Sequence, residues 1–225
     1  MEDLVATRLT RRRLQRLALV LPAPLALAAL NGRLAGIALA QDDPATPDAS
    51  GTPVLVPTPS CVDDDDLDET QAQTEGPFFT PDSPERTSLL EDGIAGTPLL
   101  LTGYVYSSGC QPVDGALLDF WHADDNGEYD NQGYRLRGHQ FAGNDGRFEL
   151  ETIMPGLYSG RTRHIHVKVQ APDQPVLTTQ LYFPDEPGNA SDGIFDPSLV
   201  VDLEQIEDRE VAAFTFVLEV PEDTE

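Results

Sequence analysis

The triplet His164-Ile165-His166 carries the strongest chemical signal in the chain. On an extended strand, side chains two apart share a face, so both imidazoles converge while Ile165 and Val167 turn away. Two imidazoles make half of a metal site, and a histidine pair at a strand start is also ordinary polar surface. The other ligands have to come from elsewhere. A cysteine site is excluded, because Cys61 and Cys110 are the only cysteines and no CxxC motif occurs. Acidic residues are too numerous for the sequence to single out the carboxylate of a two-histidine, one-carboxylate centre. Tyr129 follows the turn Asp125-Asn126-Gly127 and Tyr158 follows Met154-Pro155-Gly156, so both phenols sit in irregular segments at strand ends, where functional residues concentrate. Tyrosine in such places commonly packs as an amphipathic filler. As a phenolate it is a hard anionic oxygen donor, and trivalent iron is the metal that lowers its pKa enough for binding near neutral pH.

Short apolar segments separated by turn residues must position these groups. Strands are expected at Leu99 to Tyr106, Ala116 to His122, Arg147 to Thr152, His164 to Val169, Val176 to Phe183 and Val211 to Val220. Ser107-Ser108-Gly109, Asp125-Asn126-Gly127, Asn144-Asp145-Gly146 and Pro155-Gly156 supply the turns. Leu199 to Arg209 has room for one short helix. The pattern gives an all-β fold, a two-sheet β-sandwich with long loops and at most one short helix. Residues 41–69, rich in Pro, Thr and Asp and including the run Asp63 to Asp66, read as a linker. The folded domain is expected over 70–225.

The chain has 225 residues, with 39 acidic against 14 basic side chains and a formal charge of −25. This charge excludes a nucleic-acid partner, because basic residues cluster only near the N-terminus. Arg8, Arg11, Arg12, Arg13 and Arg16 precede the apolar run Leu17 to Leu30, which is too short to span a bilayer. With Ala38-Leu39-Ala40 before Gln41, residues 1–40 read as a secretory signal, and Thr10-Arg11-Arg12-Arg13-Leu14 suggests the twin-arginine variety. The expectation is export to the periplasm, cell surface or exterior, with no stable membrane span after processing. Removing residues 1–40 takes away six arginines and two acids and leaves −29. Such a surface suits high salt, where screening suppresses self-repulsion. Two cysteines in an exported chain favour a Cys61–Cys110 disulfide, which would close a loop of about fifty residues and add about 3–4 kcal/mol.

From Thr74 to Glu186 the chain resembles the intradiol ring-cleavage dioxygenases, the catechol and protocatechuate dioxygenase family, most closely its small exported branch. The resembling stretches are TEGPFF (74–79), LDFWHADDNGEY (118–129), LRGHQ (136–140), TIMPGLYSGRTRHIHVKV (152–169) and TTQLYFPDE (178–186). The resemblance implies non-haem Fe(III) held by Tyr129, Tyr158, His164 and His166, with Tyr158 leaving the metal to help accept a substrate proton. It places the active-site arginine at Arg161, its neighbouring glutamine at Gln180, and the substrate-pocket loop at Gly76 and Pro77. It also implies a small catecholic substrate cleaved with O2 to a muconate-type diacid, and allows a homo-oligomer. Trp121 and His122 are expected to be packing residues, Arg163 a surface residue, and His139 a loop residue without an evident partner. Where family members carry a tryptophan beside the second tyrosine, this chain has Leu157 and Gly160, which suggests a wider or more apolar pocket. The alternative is a non-catalytic transthyretin-like or carbohydrate-binding sandwich. A third reading is a zinc or copper site using the histidines alone.

Overall fold

In a computed structural model the described residues are 67–221. Eight strands follow one another: β1 (Pro98–Ser107), β2 (Leu117–Trp121), β3 (Arg137–Phe141), β4 (Arg147–Ile153), β5 (His164–Gln170), β6 (Leu177–Tyr182), β7 (Asp202–Ile206) and β8 (Arg209–Leu218). Two 3₁₀ turns, Pro187–Ala190 and Pro197–Leu199, lie between β6 and β7. The strands form two four-stranded sheets, ordered β4-β1-β8-β7 and β3-β2-β5-β6. The first is antiparallel except where β1 runs parallel to β8. The second is antiparallel throughout. Within the described residues no helix is long and apolar enough to cross a membrane.

The two-residue period of each strand sorts its side chains. Ile165, Val167 and Val169 of β5 and Leu118 and Phe120 of β2 face inward, where they meet Leu101, Phe148, Leu150 and Phe216 of the other sheet. Phe148 bridges the layers, its ring centroid 5.9 Å from Phe120 and 5.6 Å from Phe216. Each such fully buried side chain contributes about 1.5–3 kcal/mol.

The opposite face of the second sheet is polar yet buried, and there the fold serves the chemistry. His164, His166 and Lys168 alternate with the core residues of β5, and Asp119 and Trp121 do the same on β2. Residues 71–89 cross this face as a strap and shield it from water. Gln73 N donates to Thr178 O (2.8 Å), Thr179 Oγ1 to Gln71 O (2.7 Å), and Arg86 N to His139 O (2.8 Å). Midway, Lys168 sits 4.2 Å over the Phe79 ring, holding the strap by a cation–π contact.

The structure corrects four expectations. The segment expected as a short helix, Leu199 to Arg209, instead forms β7 and a turn at Glu207 (φ 57°) into β8. Leu199, Leu203 and Ile206 have helical spacing, but pairing of Asp202–Ile206 with β8 overrides that local preference. His139 belongs not to a loop but to edge strand β3, which was not expected because Phe141 is its one apolar residue. Its Nδ1 lies 3.2 Å from Ser83 Oγ, which donates to Asp119 Oδ1 at 2.8 Å, so it does have a partner in the strap. Arg163 is not a free surface residue: Nε pairs with Glu186 Oε1 at 2.6 Å, both side chains are half-buried, and Nη1 bonds Pro155 O. Cys110 is disulfide-bonded; Cys61, the expected linker up to Asp66 and the expected signal segment lie outside the described residues.

Candidate metal centre and active site

His164 and His166 stand at the start of β5 with 4% and 3% of their surface exposed. Trp121 lies in register with His166 across β2 and stacks on it, with centroids 4.8 Å apart and planes 6° from parallel. Its role as a packing residue is thus specific: it fixes the imidazole plane. His164 Nδ1 lies 2.7 Å from Thr162 O. A carbonyl only accepts, so Nδ1 carries the proton and Nε2 presents a lone pair. The two Nε2 atoms face each other at 3.2 Å, and Tyr129 Oη is 3.2 Å from that of His164.

Asp124 gathers the phenols. Its Oδ1 accepts from Asn126 N (2.9 Å) and Glu128 N (3.0 Å), an Asx turn that aims Tyr129 at the sheet. Its backbone oxygen accepts from Gly127 N (3.0 Å) and Gly156 N (2.7 Å), tying the turn before Tyr129 to the one before Tyr158. The two phenol rings meet edge to face at 5.7 Å. Phe78 of the strap stacks on Tyr129 at 4.5 Å and touches Tyr158 edge-on at 5.2 Å. Gly76 lies over His166: its φ of +70° favours glycine, and a Cβ there would stand 3.3 Å from His166 Cε1. Pro77 is exposed beside it.

Burial sets the protonation states. Desolvation pushes His164 down to about 4 and His166 well below the usual histidine value, so both are neutral at pH 7. Burial likewise pushes the Tyr129 hydroxyl far up, against the opposing pull of Arg161 and Arg137, so it is a neutral phenol in the absence of a cation. Neutral donors converging in a dry site fit a cation that supplies the charge compensation itself. The described residues contain no cluster of three or more His, Cys, Asp or Glu side chains able to hold a metal. The donors brought together here are instead imidazole and phenol, a set suited to a hard trivalent ion.

Arg161 and Gln180 flank this centre. Arg161 Nη2 donates to Gln180 Oε1 at 2.7 Å and reaches Tyr182 Oη at 3.3 Å, while Nε donates to Asp192 Oδ2 at 2.8 Å. Gln180 is in turn held through Nε2 by Thr74 O of the strap at 2.8 Å. The structure therefore assembles His164, His166, Tyr129, Tyr158, Arg161, Gln180 and Gly76 at one end of β5 and β6. Sequence reasoning missed Asp192, Tyr182 and Phe78. Phe78 stood inside the resembling TEGPFF stretch, whereas nothing marked Asp192 among so many acids.

Together the fold and the site define a β-sandwich protein with a buried imidazole–phenol cluster on the outer face of one sheet. A family model described as Dioxygenase matches residues 74–225. The chain is 31% identical over 166 residues to hydroxyquinol 1,2-dioxygenase of Rhizobium sp., a match covering 61% of this chain and 56% of that enzyme. Among solved structures, it is similar to the dioxygenase domain of a dioxygenase–carbohydrate-binding fusion from Streptomyces sp. SirexAA-E, at 56% identity and TM-score 0.67, over 68% of this chain and 100% of that one. It is also similar to 3-chlorocatechol 1,2-dioxygenase from Rhodococcus opacus, at 30% identity and TM-score 0.63, over 67% and 72% of the two chains. The chain belongs to the intradiol ring-cleavage dioxygenase family.

Proposed function

We propose that this protein is an exported non-haem Fe(III) intradiol dioxygenase that cleaves a catecholic ring with O2 to a muconate-type diacid. The observation carrying this reading is the convergence of His164 Nε2, His166 Nε2 and Tyr129 Oη within 3.2 Å steps in a buried site, beside Tyr158 and Arg161. Members of this family generally use non-haem Fe(III). Tyr129, Tyr158, His164 and His166 would hold the ion, with the tautomer of His164 set by Thr162 and the plane of His166 by Trp121. The bound ion supplies Lewis acidity that draws charge from a catecholate and opens its ring carbons to O2.

The chain's own residues perform the rest. Tyr158 is half-buried where Tyr129 is buried, and as the phenolate that a bound cation would favour it could take up a proton from the entering catechol, ending as the neutral phenol. Arg161 presents a cation to negative charge developing on the ring, and Gln180 orients it. Phe78 and the strap exclude water, which strengthens both effects. Gly76 and Pro77 form the wall beside His166, and Gly76 leaves room there for the ring. Leu157, 56% exposed, stands next to Tyr158 in place of a bulky aromatic, consistent with a wide apolar mouth.

Residues 1–40 serve as a twin-arginine signal and 41–69 as a linker to the 70–225 domain, which acts outside the cytoplasm with the Cys61–Cys110 disulfide closed. The test is oxygen uptake by the iron-loaded protein with catechol, hydroxyquinol and chlorocatechol, using ¹⁸O2 and mass analysis of the product. A diacid carrying both labelled atoms is expected. An aldehyde-bearing product, or no turnover by iron-replete protein, contradicts the proposal.

A further inference from the structure

We propose that Asp192, in the loop between β6 and β7, is the positioning residue that sets Arg161 toward the substrate and links it mechanically to His164. The inference rests on the dioxygenase reading above for its kinetic consequences, though the contact itself is independent of any metal. The Asp192 carboxylate is 3% exposed, against 20% for the Arg161 side chain. Oδ2 accepts from Arg161 Nε at 2.8 Å and from Thr162 N at 2.9 Å, and Oδ1 accepts from Ile194 N at 3.1 Å. A guanidinium is a rigid planar fork, so bonds at Nε to Asp192 and at Nη2 to Gln180 determine its plane. Among the described residues Nη1 has no hydrogen-bond partner, which leaves that edge for the substrate.

Thr162 carries the constraint onward. Its N–H is bound by Asp192, and its carbonyl accepts from His164 Nδ1 at 2.7 Å. Its hydroxyl donates to Asn189 Oδ1 at 2.7 Å, and Gly188 packs so closely that a Cβ there would lie 3.0 Å from Thr162 Oγ1. The loop therefore clasps a residue that lies between the substrate-facing Arg161 and the candidate metal ligand His164. Asparagine at 192 keeps the shape and the acceptor but loses the charge that makes the Arg161 bond strong.

The test compares Asp192→Asn, Arg161→Gln and the double variant as iron-loaded full-length protein with catechol under air. Asp192→Asn is expected to lower kcat by about tenfold or more, with KM changed less than about threefold, because its effect falls on charge stabilisation rather than uniform binding. Iron content, the tyrosinate–iron absorption and Tm should stay near wild type. In the Arg161→Gln background the second change should add nothing, since coupled residues are not additive. An unchanged kcat in iron-replete Asp192→Asn, or a fully additive loss in the double variant, overturns the proposal. Should Asp192→Asn fail to fold, Asp192→Glu, which keeps the charge but displaces it, should still lower kcat with iron retained; an unchanged kcat is equally fatal. Nitrogen-15 NMR of the metal-free full chain gives a second readout: the Arg161 Nε–H should exchange slowly in wild type and fast in Asp192→Asn. If wild type itself takes iron but never turns over, the dioxygenase reading fails, while the exchange data still decide the Asp192 contact.

Discussion

Acidification should destabilise the metal-free protein well before its carboxylates titrate. His122 and His164 are both held at about 4 against an ordinary 6.5, chiefly by desolvation. His122 is fully enclosed, with Nδ1 2.8 Å from Ala123 O and Nε2 2.7 Å from Thr152 Oγ1. A base whose folded pKa lies below its unfolded value stays unprotonated in the native state while the unfolded chain takes up protons. Stability is therefore complete above about pH 6.5 and falls as pH drops from there toward 4. Linkage with these values gives a loss of about 1.2 kcal/mol per histidine between pH 7 and 5.5, or about 2.5 kcal/mol for the two. Urea unfolding at fixed salt, followed by tryptophan fluorescence from Trp121, should show the midpoint falling with m unchanged. His166, pushed down in the same way, adds to this loss, so the variant His122→Gln, compared with itself at the two pH values, should lose about 1.2 kcal/mol less than wild type. A stability that is flat or rises between pH 7 and 5.5 would refute the claim that these imidazoles are buried and neutral.

Three further outcomes follow from the packing. Gly76→Ala should lower stability by about 1–2 kcal/mol, since alanine is strained at φ +70° and its methyl presses on His166; chemical denaturation and iron retention measure the two consequences. Arg163→Gln should cost about 1–2 kcal/mol, because it breaks a half-buried pair with Glu186 and a contact to Pro155 that together join the loops on either side of the site; equal stability in the variant would show that the pair is idle. Leu157→Trp should narrow the mouth, raising KM for catechols with bulky substituents several-fold while leaving unsubstituted catechol nearly unaffected; a uniform change across substrates would place Leu157 outside the substrate path.

Much of the architecture was legible because the inward-facing residues alternate with outward ones so regularly. Ile165, Val167 and Val169 made β5 unmistakable, and the same alternation brought His164 and His166 to one face. The strands that escaped notice are edges: β3 reads Arg-Gly-His-Gln-Phe, with little apolar signal, and β7 carries Leu203 and Ile206 at a spacing that also suits a helix. Both exist because a neighbouring strand offers hydrogen bonds, which no local pattern records. Contacts between distant loops were equally hidden. Asp192 lies 31 residues from Arg161, and Asp124 O joins the turns before the two tyrosines through backbone atoms that any residue possesses. Arg163 was misjudged because strand alternation predicts direction but not whether another loop waits there to receive the side chain.

The proposed ferric site joins two phenols, Tyr129 and Tyr158, to two imidazoles, His164 and His166. Its most direct test is the visible absorption spectrum of the iron-loaded protein before and after anaerobic addition of catechol, with Tyr129→Phe and Tyr158→Phe alongside. A phenolate-to-iron charge-transfer band that shifts with catechol and weakens in each variant is expected. A colourless protein despite stoichiometric ferric iron, or a Tyr129→Phe variant that binds metal as wild type does, would contradict it and favour a site built from the histidines alone.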